Sequence, residues 1–159
     1  MTNDGNELDD ELKQLLRTKY PKEDASCEVT DFLFAGTPLV ALLYRELFWP
    51  TFVEIAGMVF WKGTVRDSND VERVHRAFEE YDRDIRLTER AFNFIEVPEL
   101  FATDPEDVSR ELLDDLTRTL CETWKARLES TFPEKRFVVD FEPADDETGE
   151  ECGLWFYQA

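Results

Sequence analysis

Histidine is nearly missing from this chain, with His75 the one example in 159 residues, so a metal centre built from several imidazoles is excluded. Cysteine is sparse too. Cys27, Cys121 and Cys152 are odd in number, widely spaced and free of any CxxC pair, which argues against a disulfide framework and against a thiolate metal or redox site. Three reduced, structural thiols are the expectation. Lysine is scarce, six residues against 12 arginines. No apolar run approaches the roughly 20 residues of a membrane-crossing helix; the longest, Leu39 to Trp49, is broken by Arg45 and Glu46. The opening MTNDGNELDDELKQ has neither the basic start nor the apolar core of a secretory leader, so a cytoplasmic protein is expected. No glycine-rich phosphate loop, internal repeat or nucleophile motif occurs, and the sequence implies no metal and no cofactor.

What the chain does have is acid. Its 37 Asp and Glu outnumber 18 Lys and Arg, for a formal charge of -19. Such a field repels phosphate backbones and anionic lipid heads, so neither direct nucleic-acid binding nor membrane association is expected. A basic protein is the expected partner. The hydrophobic fraction of 42%, with 13 Phe, 4 Trp and 4 Tyr, supplies a core that a disordered acidic chain would lack. A single acidic α+β domain spanning 1–159 is therefore expected.

The acidity is uneven. Between Lys62 and Arg90 the bases Lys62, Arg66, Arg73, Arg76, Arg83, Arg86 and Arg90 nearly offset the acids around them. The excess falls in the N-terminal helix, the start of the long helix near residue 105, and the C-terminal loop. If these share a side, they form an acidic face.

Periodicity gives the elements. Leu8, Leu12, Leu15 and Leu16 follow helical spacing, so a helix runs from about Glu7 to Lys19 and ends before Pro21. Thr37 and Pro38 start a second helix that stops at Pro50, and its apolar residues on nearly every side predict a buried, central position. Thr51 to Trp61 reads as one or two strands, with Gly57 marking a tight turn or a bulge. A third helix is predicted from Ser68 to about Ile85, capped by Asp67 or Ser68, and a strand over Ala91 to Val97. Asp104, Pro105, Glu106 and Asp107 form the strongest helix start, and the helix should reach Thr131. Its apolar residues, Val108, Leu112, Leu116, Leu120, Trp124 and Leu128, recur every four positions, so the stripe drifts about 40° per step. Arg136 to Glu142 and Gly153 to Gln158 read as a C-terminal β-hairpin. The fold expected is a mostly antiparallel sheet of about four to five strands, with three to four helices mainly on one face.

Few residues could carry chemistry. Glu54 interrupts Phe52, Val53, Ile55 and Ala56, and a carboxylate there needs a partner or a raised pKa. Arg45 is the expected partner. His75 lies at the edge of an apolar stripe, and Asn93 is a polar residue among apolar neighbours. The loop containing Asp140, Glu142, Asp145, Asp146, Glu147, Glu150 and Glu151 lacks the glycine and acid spacing of a calcium-binding EF-hand. A solvated acidic tip or interaction surface is the reading for it.

Three functions follow. The first is a non-enzymatic binding module whose acidic surface engages a basic protein, as an inhibitor, an immunity-type protein or a nucleic-acid mimic. The second is a small-ligand site or enzyme around Arg45, Glu54, His75 and Asn93, walled by Trp49, Phe60 and Trp61. The third is a structural or oligomeric role.

Overall fold

The computed structural model describes residues 4–21, 28–101, 108–143 and 152–159. The chain divides into two compact units, Met1–Tyr44 and Arg45–Ala159. Among the described residues there are five α-helices and two antiparallel sheets, of two and three strands.

The first unit holds helix α1 (Asp4–Lys19) and a 3₁₀ helix over Val29–Ala35. Lys13 pairs with Glu28 at 2.7 Å, and Phe32 is buried. The unit boundary falls inside helix α2 (Pro38–Phe48). Thr37 caps α2 as expected, its hydroxyl accepting the Val40 N–H at 3.3 Å. The central burial expected for this helix does not hold. Leu39, Val40, Leu42 and Leu43 are exposed, and only Leu47, in the last turn, is buried. That turn is fixed by Trp124, whose indole N–H donates to the Leu47 carbonyl at 2.6 Å.

The second unit is built around a short hairpin and a long helix. Strands β1 (Phe52–Ile55) and β2 (Met58–Trp61) pair antiparallel with Ile55 opposite Met58. Ala56 and Gly57 make the turn, with φ of 51° and 84°, so the sequence reading of a tight turn holds. Both left-handed residues match the twist of the strands they join. Alternate residues of β2 then face different cores. Val59 joins Trp124, while Met58 and Phe60 pack with Val65 and Val74.

Helix α3 (Ser68–Glu80) is capped by Asp67, as expected, but ends five residues before the predicted Ile85. Asp82 and Arg83 at φ of 52° and 62° reverse the chain, and Asp84 caps a new helix, α4 (Ile85–Phe92). The strand predicted over Ala91 to Val97 shrinks to β3 (Ile95–Glu96), because α4 consumes its first two residues.

Helix α5 (Arg110–Thr131) starts at an N-cap of Ser109; the predicted start at Asp104 to Asp107 lies outside the described residues. Leu120, Trp124 and Leu128 are buried, whereas Leu112 and Leu116 are half-buried and Val108 is exposed. This is the expected drift of a four-residue stripe, and Thr117 takes the inward position near the helix start. Strands β4 (Phe137–Glu142) and β5 (Gly153–Gln158) pair antiparallel as predicted, and the three-stranded sheet runs β3-β5-β4. Trp124 is the hub of this core, with its ring 5.7 Å from Phe52, 5.5 Å from Trp61 and 6.1 Å from Phe156.

One sheet with helices mainly on one face was the expectation; two smaller sheets are found. Helix α5 packs against the face of β5 that carries Phe156, while Arg90 of α4 lies 4.7 Å over Trp155 on the other. The reason for the split lies in α4.

Candidate functional site

Helix α4 turns polar residues inward. Thr88, Glu89 and Asn93 are fully buried, while Leu87 and Ile85 are exposed. Glu89 and Asn93, four residues apart, share one face and meet two strand edges. In β2 the Val59 and Trp61 peptides point away from β1. In β5 the Phe156 and Gln158 peptides point away from β4.

Side chains complete what a missing strand pairing would have supplied. Glu89 accepts the Val59 N–H at 2.6 Å on Oε1 and the Gln158 N–H at 2.6 Å on Oε2. The Gln158 amide also donates to Glu89 Oε1. Asn93 Oδ1 accepts the Trp61 N–H at 3.1 Å, and its Nδ2 donates to the Val59 carbonyl at 2.9 Å and the Phe156 carbonyl at 3.5 Å. A buried carboxylate and a carboxamide thus stitch the edges of β2 and β5, pairing the Val59, Trp61 and Gln158 N–H groups and the Val59 and Phe156 carbonyls.

Burial pushes the Glu89 carboxyl above its ordinary pKa. Donation from the Gln158 and Val59 backbones and the Gln158 side chain, and the positive charge of nearby Lys135, pull the other way. The network continues to the surface, where Lys135 donates to the Gly57 carbonyl at 2.7 Å and pairs with Glu54 at 3.0 Å.

The residues singled out in the sequence are not brought together. Glu54 pairs with Lys135 rather than Arg45, whose guanidinium holds Glu46 at 2.9 Å. His75 is exposed on α3, and Asn93 serves the two strand edges. Of the acidic loop, Asp140 and Glu142 are exposed on β4, whereas Asp145, Asp146, Glu147, Glu150 and Glu151 lie outside the described residues. Glu142 pairs with Arg90 at 2.7 Å. Sequence reasoning missed Glu89. Its signal was the spacing of Ile85, Thr88, Glu89, Phe92 and Asn93, which is helical, with the polar members at the centre of the face.

Beside this polar stitch lies an open groove of about 870 Å³. Trp61, Phe92 and Phe94 contribute aromatic surface, Arg66, Asp70 and Arg73 line the α3 side, and Glu96 and Glu99 line the β3 side. Asn93 holds the Trp61 backbone and sits between Phe92 and Phe94 in sequence, so the stitch positions the aromatic part of the groove. The tip of the Phe94 ring also rests against Gly153, where a Cβ would come within 2.3 Å of it.

Among the described residues no cluster of three or more His, Cys, Asp or Glu could hold a metal ion, and no helix is long and apolar enough to cross a membrane. Cys121 is partly buried in α5. Burial, then Asp140 and Cys152, pushes its thiol up to about 12. At pH 8 the thiolate fraction is then on the order of one in ten thousand. Iodoacetamide followed by peptide mapping is expected to leave Cys121 unlabelled in the native protein and to label it rapidly in urea; labelling at a free-cysteine rate in the native state would contradict this.

In comparison with known proteins, no family model, no curated protein and no solved structure matches this chain.

Proposed function

We propose that this chain is a non-enzymatic binding module of the cytoplasm that engages a basic protein through an acidic surface. The observation that carries this reading is the anchorage of Cys152. This residue directly follows the acidic run Asp145 to Glu151 in sequence, and its Sγ packs 3.2 Å from Thr117 and 3.6 Å from Asp114 near the start of α5. The Cys152 thiol thereby ties the residue before β5 to the first turns of α5, which carry Asp114 and Asp115. Asp114 and Asp115 on α5 and Asp140 and Glu142 on β4 belong to the same packed pair of elements.

Much of the positive charge is engaged internally. Arg73 holds Asp70, Arg83 holds Glu79, Arg118 holds Asp115 and Lys135 holds Glu54. The overall charge of -19 does the rest, by steering a cationic partner toward the surface.

Titration of the full chain with a lysine-rich peptide tests this. Affinity is expected to fall roughly tenfold or more between about 10 and 150 mM salt, because exposed charges are screened over that range. A variant carrying Asp115→Asn, Asp140→Asn and Glu142→Gln is expected to bind more weakly and with a shallower salt dependence. Binding that ignores salt, or no binding at low salt, would overturn the proposal.

A further inference from the structure

The groove carries uncompensated negative charge beside exposed aromatic rings. Its lining holds three acids, Asp70, Glu96 and Glu99, against two bases, Arg66 and Arg73. Arg73 pairs with Asp70 at 2.9 Å and lies 5.7 Å over the Phe92 ring, and Arg66 Nε donates to the Gly63 carbonyl at 2.6 Å. Glu96 and Glu99 line the same groove, and no lysine or arginine among the described residues pairs with either.

Two rings stand nearby. Tyr81 is 40% and Phe94 39% exposed, far more than aromatic groups recruited to the core. Ile95 is buried, so the strand β3 turns Glu96 to the other side, where Phe94 lines the same groove. A ring beside a free carboxylate is the combination that holds a guanidinium, which stacks on the ring face while its N–H fork meets the acid. Arg73, between Phe92 and Asp70, is an internal example in this groove.

We infer that the groove is an arginine-binding subsite, in which Tyr81 and Phe94 flank a guanidinium of the basic partner and Glu96 and Glu99 accept its hydrogen bonds. The inference rests on the binding-module reading and gives it a specific point of recognition. Arginine is selected over lysine because a planar, weakly hydrated cation gains more from the rings than an ammonium does.

The test measures binding of a capped tetra-arginine peptide and a capped tetra-lysine peptide to the full chain at low salt. The wild type is expected to prefer the arginine peptide. Glu96→Gln combined with Glu99→Gln should weaken arginine-peptide binding roughly tenfold, and Tyr81→Leu, which keeps bulk but removes the ring, should erase the preference. Asp140→Asn with Glu142→Gln should weaken both peptides alike and leave the preference intact. If the Glu96/Glu99 variant binds as the wild type while the Asp140/Glu142 variant is weakened, the subsite is wrong and the binding module stands. Equal wild-type affinity for the two peptides also overturns the subsite. If neither peptide binds the wild type, both the subsite and the module fall.

Discussion

Replacing Glu89 with alanine is expected to lower the free energy of unfolding by about 3–5 kcal/mol, out of the about 5–15 kcal/mol typical of a folded domain. The side chain accepts from two backbone N–H groups, Val59 in β2 and Gln158 in β5, and both lie where water does not reach Glu89. Alanine leaves both donors without an acceptor and opens the seam between the sheets. Urea denaturation reads the loss directly, and a change under about 1 kcal/mol would mean that the seam is held by something else.

Glutamine at the same position separates charge from shape. It keeps one oxygen but sets an amide donor against one of the backbone donors, so a cost of roughly 1–3 kcal/mol is expected. The pH dependence gives a second readout. Burial raises the folded-state pKa of Glu89 above the ordinary 4.5, so between 4.5 and that higher value the folded chain holds a proton that the unfolded chain has released. Stability contributed by this group is fully present below the unfolded pKa and declines as pH rises through the folded pKa. Glu89→Gln has no such proton. The stability advantage of wild type over this variant should therefore shrink as pH rises across that window, and a difference flat with pH would contradict the assignment.

Trp124→Ala should cost about as much by a different route, roughly 3–5 kcal/mol. The indole is fully buried against Phe52, Trp61 and Phe156, and its N–H holds the last turn of α2 through the Leu47 carbonyl. Trp124→Phe retains most of the ring contacts and loses that bond, for about 1–3 kcal/mol. Thermal unfolding of both variants separates packing from the hydrogen bond; equal losses would mean that the ring contributes little.

How much of this was readable from the residues varies by element. The capping of α2 by Thr37 and of α3 by Asp67, the turn at Gly57, the drifting stripe of α5 and the pairing of β4 with β5 all followed from local chemistry. The break after Glu80 did not, because the reversing positions are Asp82 and Arg83 and neither glycine nor proline marks it. Without such a mark the pattern places Asn93 in a strand and leaves Glu89 with no partner four residues on. The apolar composition of α2 predicts more burial than the helix has. An apolar helix is not buried by its own composition, and only Leu47 found a place in the core. The groove was invisible because Arg66, Tyr81 and Glu99 meet only through the turn between α3 and α4 and the short strand that follows. The proposed pairing of Arg45 with Glu54 gave way to nearer or better placed partners, Glu46 and Lys135.

A buried carboxylate and a buried carboxamide join the edges of β2 and β5 and thereby fix the aromatic side of the groove. Native-state amide hydrogen exchange resolved at Val59, Trp61 and Gln158 tests it most directly. In the wild type these three amides are expected to exchange as slowly as the paired amides of β4 and β5. In Glu89→Ala, under conditions where the protein remains folded, Val59 and Gln158 should exchange faster while Trp61, held by Asn93, changes less. Fast exchange at all three positions in the wild type would contradict the claim.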